Sequence, residues 1–124
     1  MHQGSCACGQ VSFVVSEAPR NVSACHCRQC RKMAGLAWAS AEVPQTALKI
    51  DGDVHWLKLS ASVQRGICRN CGAFLFWNAE YDKNISFALS ALDAPTGLKL
   101  EKHIFTSDKG DYYDISDGLP QPQN

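Results

Sequence analysis

Apolar residues along this chain fall into short runs, several of them alternating with polar residues, and turn-forming residues separate the runs. Val11 to Val15, Trp38 to Val43, Val54 to Leu59, Phe74 to Trp77, Ile85 to Leu92 and Leu98 to Phe105 are rich in β-branched and aromatic residues and are predicted as strands. Asp51-Gly52-Asp53 reads as a hairpin turn, and Pro95-Thr96-Gly97 as a second turn. Helical character is confined to one or two turns from Arg28 to Ala34, with Gly35 as the stop. Gly118 to Asn124 reads as an extended or frayed tail. The pattern implies a mainly β fold without internal repeats, organised as one domain over residues 1–124.

Composition narrows the function classes. With 124 residues, 45% hydrophobic and 19% charged, the chain is an ordinary globular sequence with room for a modest core. Twelve basic and twelve acidic residues cancel, which argues against bulk electrostatic binding to nucleic acid or to an anionic membrane surface. No apolar run approaches the roughly 20 residues of a spanning helix, and the start of the sequence lacks the pattern of a secretory leader. An odd number of cysteines, seven, argues against a disulfide framework. The expectation is a cytoplasmic protein.

The cysteines carry the chemistry. They stand in three tight groups: Cys6 and Cys8; Cys25, Cys27 and Cys30; Cys68 and Cys71. Thiols so close in sequence do not usefully bridge one another, but their thiolates can converge on one metal ion. Cys6-Ala7-Cys8-Gly9 and Cys68-Arg69-Asn70-Cys71-Gly72 are both glycine-terminated turns, suited to turning backbone N–H groups toward sulfur. That similarity points to Cys6, Cys8, Cys68 and Cys71 as a closed structural zinc site. Cys25, Cys27 and Cys30 then form a three-ligand site with an open position, as in catalytic zinc. Spacing also permits other groupings: Cys27, Cys30, Cys68 and Cys71 around one ion, His26 as a fourth ligand beside the three cysteines, or Cys27 and Cys30 as a redox pair. Between two ligating neighbours, the His26 ring is expected to point away from the metal they share. Arg28, Arg31 and Lys32 either attract an anionic substrate or form a solvated helix face. Trp38, Trp56 and Trp77 either line a pocket or, as is commoner for tryptophans in sheets, lie in the core, and Asp111, Tyr112, Tyr113 and Asp114 are expected in an exposed loop.

Taken together, three stretches resemble the glutathione-dependent formaldehyde-activating enzyme family, which also includes centromere protein V. They are Gly4-Ser5-Cys6-Ala7-Cys8-Gly9-Gln10-Val11, Cys25-His26-Cys27-Arg28-Gln29-Cys30-Arg31-Lys32 and Cys68-Arg69-Asn70-Cys71-Gly72-Ala73-Phe74-Leu75-Phe76-Trp77. His103-Ile104-Phe105 and Asp117-Gly118-Leu119-Pro120 extend the match. The resemblance implies an Mss4-like fold of small antiparallel β-sheets stabilised by zinc. It places a structural zinc on Cys6, Cys8, Cys68 and Cys71, and a second, weakly held zinc on Cys25, Cys27 and Cys30. It further implies a carbon–sulfur lyase that joins glutathione and formaldehyde as S-hydroxymethylglutathione, with a small-molecule thiol as the partner. Two other classes stand beside this enzyme: a non-catalytic zinc protein that binds glutathione, and an interaction protein that binds another protein.

Overall fold

A computed structural model describes residues 1–124. Its strands are β1 (His2–Ser5), β2 (Ser12–Val15), β3 (Arg20–Cys25), β4 (Trp38–Pro44), β5 (Leu48–Asp51), β6 (Val54–Leu57), β7 (Val63–Cys68), β8 (Phe74–Ala79), β9 (Asn84–Ala88) and β10 (Lys102–Ile104). One helix, α1, covers Arg28–Ala34, and single 3-10 turns cover Gln45–Ala47, Leu89–Ala91 and Thr106–Asp108. The strands form a three-stranded sheet, β1-β2-β5, and a seven-stranded sheet in the order β10-β3-β4-β9-β8-β7-β6. All pairings are antiparallel except β10 with β3. The fold is mainly β with mixed pairing, and with its two cysteine groups it is consistent with an Mss4-like fold. No helix is long and apolar enough to cross a membrane.

Alternation along the strands sorts the large sheet into two faces. One face sends Ala41, Val43, Phe76, Ile85 and Phe87 into a core shared with Val11, Phe13 and Val15 of the small sheet and its approach. Phe13 meets the Phe76 ring edge-on at 5.3 Å and tilts against Phe87 at 5.7 Å. The other face is polar. Directly paired residues share a face, and the row Arg65–Trp77–Ser86–Glu42 runs across β7, β8, β9 and β4. Ser23 and Ser40 form the neighbouring pair on that side, and Cys25 pairs with Trp38 beyond them. The alternation Trp38-Ala39-Ser40-Ala41-Glu42-Val43 thus separates a core face from a site face.

Several sequence expectations are corrected. Asp51-Gly52-Asp53 is not a hairpin turn, since β5 pairs with β2 and β6 pairs with β7. It switches the chain between sheets, and a Cβ on Gly52 would stand 2.2 Å from the Gln10 carbonyl oxygen, so backbone packing sets this bend. The run from Ile85 stops pairing at Ala88 and tightens into the Leu89–Ala91 turn. The run from Leu98 is reduced to Lys102–Ile104. Four strands, β1, β3, β5 and β7, were not expected; their many polar or glycine positions mask the signal, and pairing with neighbours supplies what propensity lacks. Helix α1 and its Gly35 cap agree with the prediction. The tail is extended but docked: the His103 amide donates to the Pro120 carbonyl at 2.9 Å, and the Ser107 hydroxyl donates to the Gln123 carbonyl at 3.0 Å.

Candidate metal centres and the adjoining cavity

The two glycine-terminated turns are built alike. The Cys6 amide donates to the Val11 carbonyl at 2.9 Å and the Gly9 amide to the Cys6 carbonyl at 3.1 Å; the Cys68 amide donates to Ala73 at 3.0 Å and the Gly72 amide to Cys68 at 2.9 Å. Gly9 (φ 83°) and Gly72 (φ 79°) close these turns in the left-handed region. The turns bring the Sγ atoms of Cys6, Cys8, Cys68 and Cys71 within 4.8 Å of one another. Cys6 and Cys8 sulfurs lie 3.6 Å apart, and Cys8 and Cys68 sulfurs 3.7 Å apart. A tetrahedron with zinc–sulfur arms of 2.3 Å has edges of about 3.8 Å, so this donor set fits a zinc-sized ion. The Val11 amide donates to Cys6 Sγ at 3.3 Å and the Cys71 amide to Cys68 Sγ at 3.4 Å, which favours thiolate. Burial raises the Cys6 thiol, but the Val11 amide and the Cys8 and Cys68 sulfurs pull it down to about 6.

The second group holds Cys25, Cys27 and Cys30, again within 4.8 Å. Cys25 ends β3, Cys27 caps α1 by accepting the Cys30 amide at 3.4 Å, and Cys30 lies one turn into the helix. The two groups are separate, so Cys27 and Cys30 are not brought together with Cys68 and Cys71. Contact with Cys25 and then Cys30 drives the Cys27 thiol steeply down, whereas Cys27 pushes Cys25 up to about 11 and both neighbours push Cys30 up. Three thiolates this close repel one another, and a divalent cation would stabilise them together. Each cysteine group could hold a metal ion, and thiolate donors are consistent with zinc.

His26 does not complete the second group. Its ring turns away from the three sulfurs, as expected, and into the interior, with 2% exposure. Nδ1 meets the Tyr113 hydroxyl, Nε2 lies 2.9 Å from His103 Nδ1, and His103 Nε2 lies 2.6 Å from the Asp117 carboxylate. One set of tautomers satisfies the whole chain: Tyr113 O–H donates to His26, His26 Nε2–H donates to His103, and His103 Nε2–H donates to Asp117. Burial first, then the neighbouring His103 and Lys109, lowers the His26 pKa. The chain ties the cysteine loop to residues 113–117, so the segment expected as an exposed loop is half-buried at Tyr113. No local sequence pattern marks Tyr113, and His103 and Asp117 stand out in the sequence only as part of the family resemblance.

The His103 bond, followed by the Leu119 amide, holds the Asp117 carboxyl below its ordinary value. A depressed carboxylate adds stability that is present above the unfolded pKa near 3.8 and is lost as pH falls through the lower folded value. Asp117→Asn is therefore expected to remove part of the gain in stability above pH 4, measured by denaturant unfolding between pH 3 and 7. A variant whose pH profile parallels the wild type would refute the assignment.

Beside the three cysteines lies a cavity of about 570 Å³, floored by the polar face of the large sheet. Cys25, Cys27 and Cys30 line it, whereas no member of the four-cysteine group does. Trp38, expected in the core, is buried and stacked on Phe74 at 4.1 Å, and it also walls the cavity together with Trp77. Arg28 lines the cavity, while Arg31 and Lys32 do not. Arg65, which the sequence did not single out, lies in the floor.

No curated protein matches the chain. Among solved structures, the chain is similar to a protein of Rhodobacter sphaeroides known from a crystal structure, with a TM-score of 0.62 and 20% identity over 77% of this chain and 91% of the other. At that identity the likeness concerns the fold. The family model for glutathione-dependent formaldehyde-activating enzymes matches residues 1–108, a span that contains both cysteine groups. The chain belongs to the glutathione-dependent formaldehyde-activating enzyme family.

Proposed function

We propose that the protein is a zinc-dependent carbon–sulfur lyase that makes or breaks the adduct between a thiol, with glutathione as the implied thiol, and formaldehyde or a related small aldehyde. The supporting observation is that all three cysteines of the second group line the cavity, whereas none of the four-cysteine group does, and Cys6 borders a different pocket. A metal held by Cys6, Cys8, Cys68 and Cys71 is structural, joining the small sheet to the end of β7. Cys25, Cys27 and Cys30 would hold the second zinc, and a zinc ion there supplies Lewis acidity and favours the thiolate form of an incoming thiol. The residues of the chain do the rest. Cys27 and Cys30 are set on the first turn of α1 at the cavity edge, and His26, locked to His103, fixes the loop between Cys25 and Cys27. Trp38 and Trp77 give the cavity an apolar wall for the substrate. A cavity of about 570 Å³ suits a peptide-sized ligand. Seven free cysteines suit a reducing compartment, which makes the cytoplasm the setting for this reaction.

The test is the rate of exchange between glutathione plus formaldehyde and S-hydroxymethylglutathione, followed by NMR with zinc-loaded protein. Wild type is expected to accelerate exchange, and Cys27→Ser to lower that acceleration by about 100-fold or more with the fold retained. No acceleration by wild type loaded at both groups would overturn the lyase reading.

A further inference from the structure

Arg65 is 4% exposed in the middle of β7, yet it borders the cavity. Its Nε and Nη1 are shut from solvent and have no hydrogen-bond partner. The ion pairs of the structure, Arg69 with Asp53 and His103 with Asp117, do not include it. A guanidinium is a permanent charge with donors arranged in a planar fork, and leaving one buried without an acceptor is among the costliest arrangements in a protein. The carboxylates of the cavity stand elsewhere. Glu42 shares the row of Arg65, but Trp77 and Ser86 intervene on two strands, which places β4 about 14 Å from β7. Glu42 also accepts from Asn21 Nδ2. Asp108 follows β10 at the opposite edge of the sheet. Arg65 therefore faces the cavity without an ion-pair partner of its own.

We propose that Arg65 is the anion anchor of this cavity, gripping a carboxylate of the thiol substrate whose sulfur meets Cys25, Cys27 and Cys30. The assignment rests on the thiol reading of the cysteine site and names the residue that reads the substrate's charge. In the sheet order, β7 is four strands from β3, and the row of Arg65 crosses β4 at Glu42, four residues from the Trp38 that pairs with Cys25, so the two backbones stand roughly 23 Å apart in a flat sheet before curl and side-chain reach shorten the span. The anchored carboxylate must accordingly lie many bonds from the sulfur. A peptide-sized thiol with a terminal carboxylate reaches both points, whereas free cysteine, with its carboxylate close to sulfur, reaches only one. Arg65 thereby selects among thiols by length and terminal charge and takes no part in bond making.

The experiment is calorimetric titration of zinc-loaded protein with three probes: glutathione, its glycine monoethyl ester and 2-mercaptoethanol. Wild type is expected to bind glutathione about 10- to 100-fold more tightly than the ester, the range of a lost charged hydrogen-bonded pair. Arg65→Met is expected to erase that difference while leaving 2-mercaptoethanol binding unchanged, and Arg65→Lys to restore part of it. Equal affinity of wild type for glutathione and ester overturns the anchor but leaves the thiol site standing. Binding of none of the three overturns the thiol site as well. If Arg65→Met does not fold, Arg65→Gln and Arg28→Gln carry the test, since Arg28 also lines the cavity: an acid-over-ester preference lost in Arg28→Gln and kept in Arg65→Gln overturns the anchor.

Discussion

Cys68→Ser is expected to leave the chain largely unfolded at room temperature. Cys68 is 1% exposed at the end of β7, and its sulfur meets that of Cys8 across 60 residues of sequence. The four-cysteine group ties the turn after β1 to the turn between β7 and β8, closing a long loop that an unfolded chain would leave open. Structural zinc contributes roughly 10–16 kcal/mol in small zinc domains. That matches or exceeds the roughly 5–15 kcal/mol by which a whole domain is stable. Losing one thiolate of four therefore removes a contribution the core cannot replace. Circular dichroism and thermal unfolding measure this, with chelator-treated wild type as the parallel sample. A variant melting within a few degrees of wild type, together with a wild type indifferent to chelator, would show that the core alone holds the fold.

Phe76→Ala is expected to cost about 3–5 kcal/mol, a large part of the total stability, with both cysteine groups chemically intact. Phe76 is fully buried on β8, edge-on to Phe13 of the small sheet at 5.3 Å and stacked on Trp56 at 5.9 Å. It bridges the two sheets at their centre, where neighbours on three strands cannot collapse into the vacated volume. Urea unfolding at fixed zinc concentration reads the loss. A change under 1 kcal/mol would mean the core repacks freely, contrary to close packing of Phe13, Phe76 and Phe87. The two substitutions act on different supports, one a metal that the four cysteines could hold and one dispersive packing, so their effects are expected to separate by chelator dependence.

Much of the chemistry was visible in the residues themselves. Ligand spacing is a local property, because two cysteines within one tight turn present their sulfurs together wherever that turn is placed. The cysteine turns, helix α1 with its Gly35 cap, and the strands at Val11, Trp38, Val54 and Phe74 follow from short-range pattern, and the family resemblance rested on the same segments. Strands β3 and β7 were illegible because Asn21, Ser23, Gln64, Arg65 and Gly66 carry no strand preference; they are strands because β4, β6 and β8 lie alongside them.

The sequence by itself determined a mainly β chain with two kinds of cysteine group, since turn geometry and thiolate chemistry act over a few residues. Only the tertiary structure decided which cysteines share a centre, because spacing allowed Cys27 and Cys30 to join either partner set until β3 and β7 were placed four strands apart. It also decided that His26 faces inward to His103 and that Asp51-Gly52-Asp53 joins two sheets instead of forming a hairpin. The placement of Arg65 beneath the cavity likewise came from strand register, which couples residues far apart in sequence through long-range pairing that no local pattern encodes.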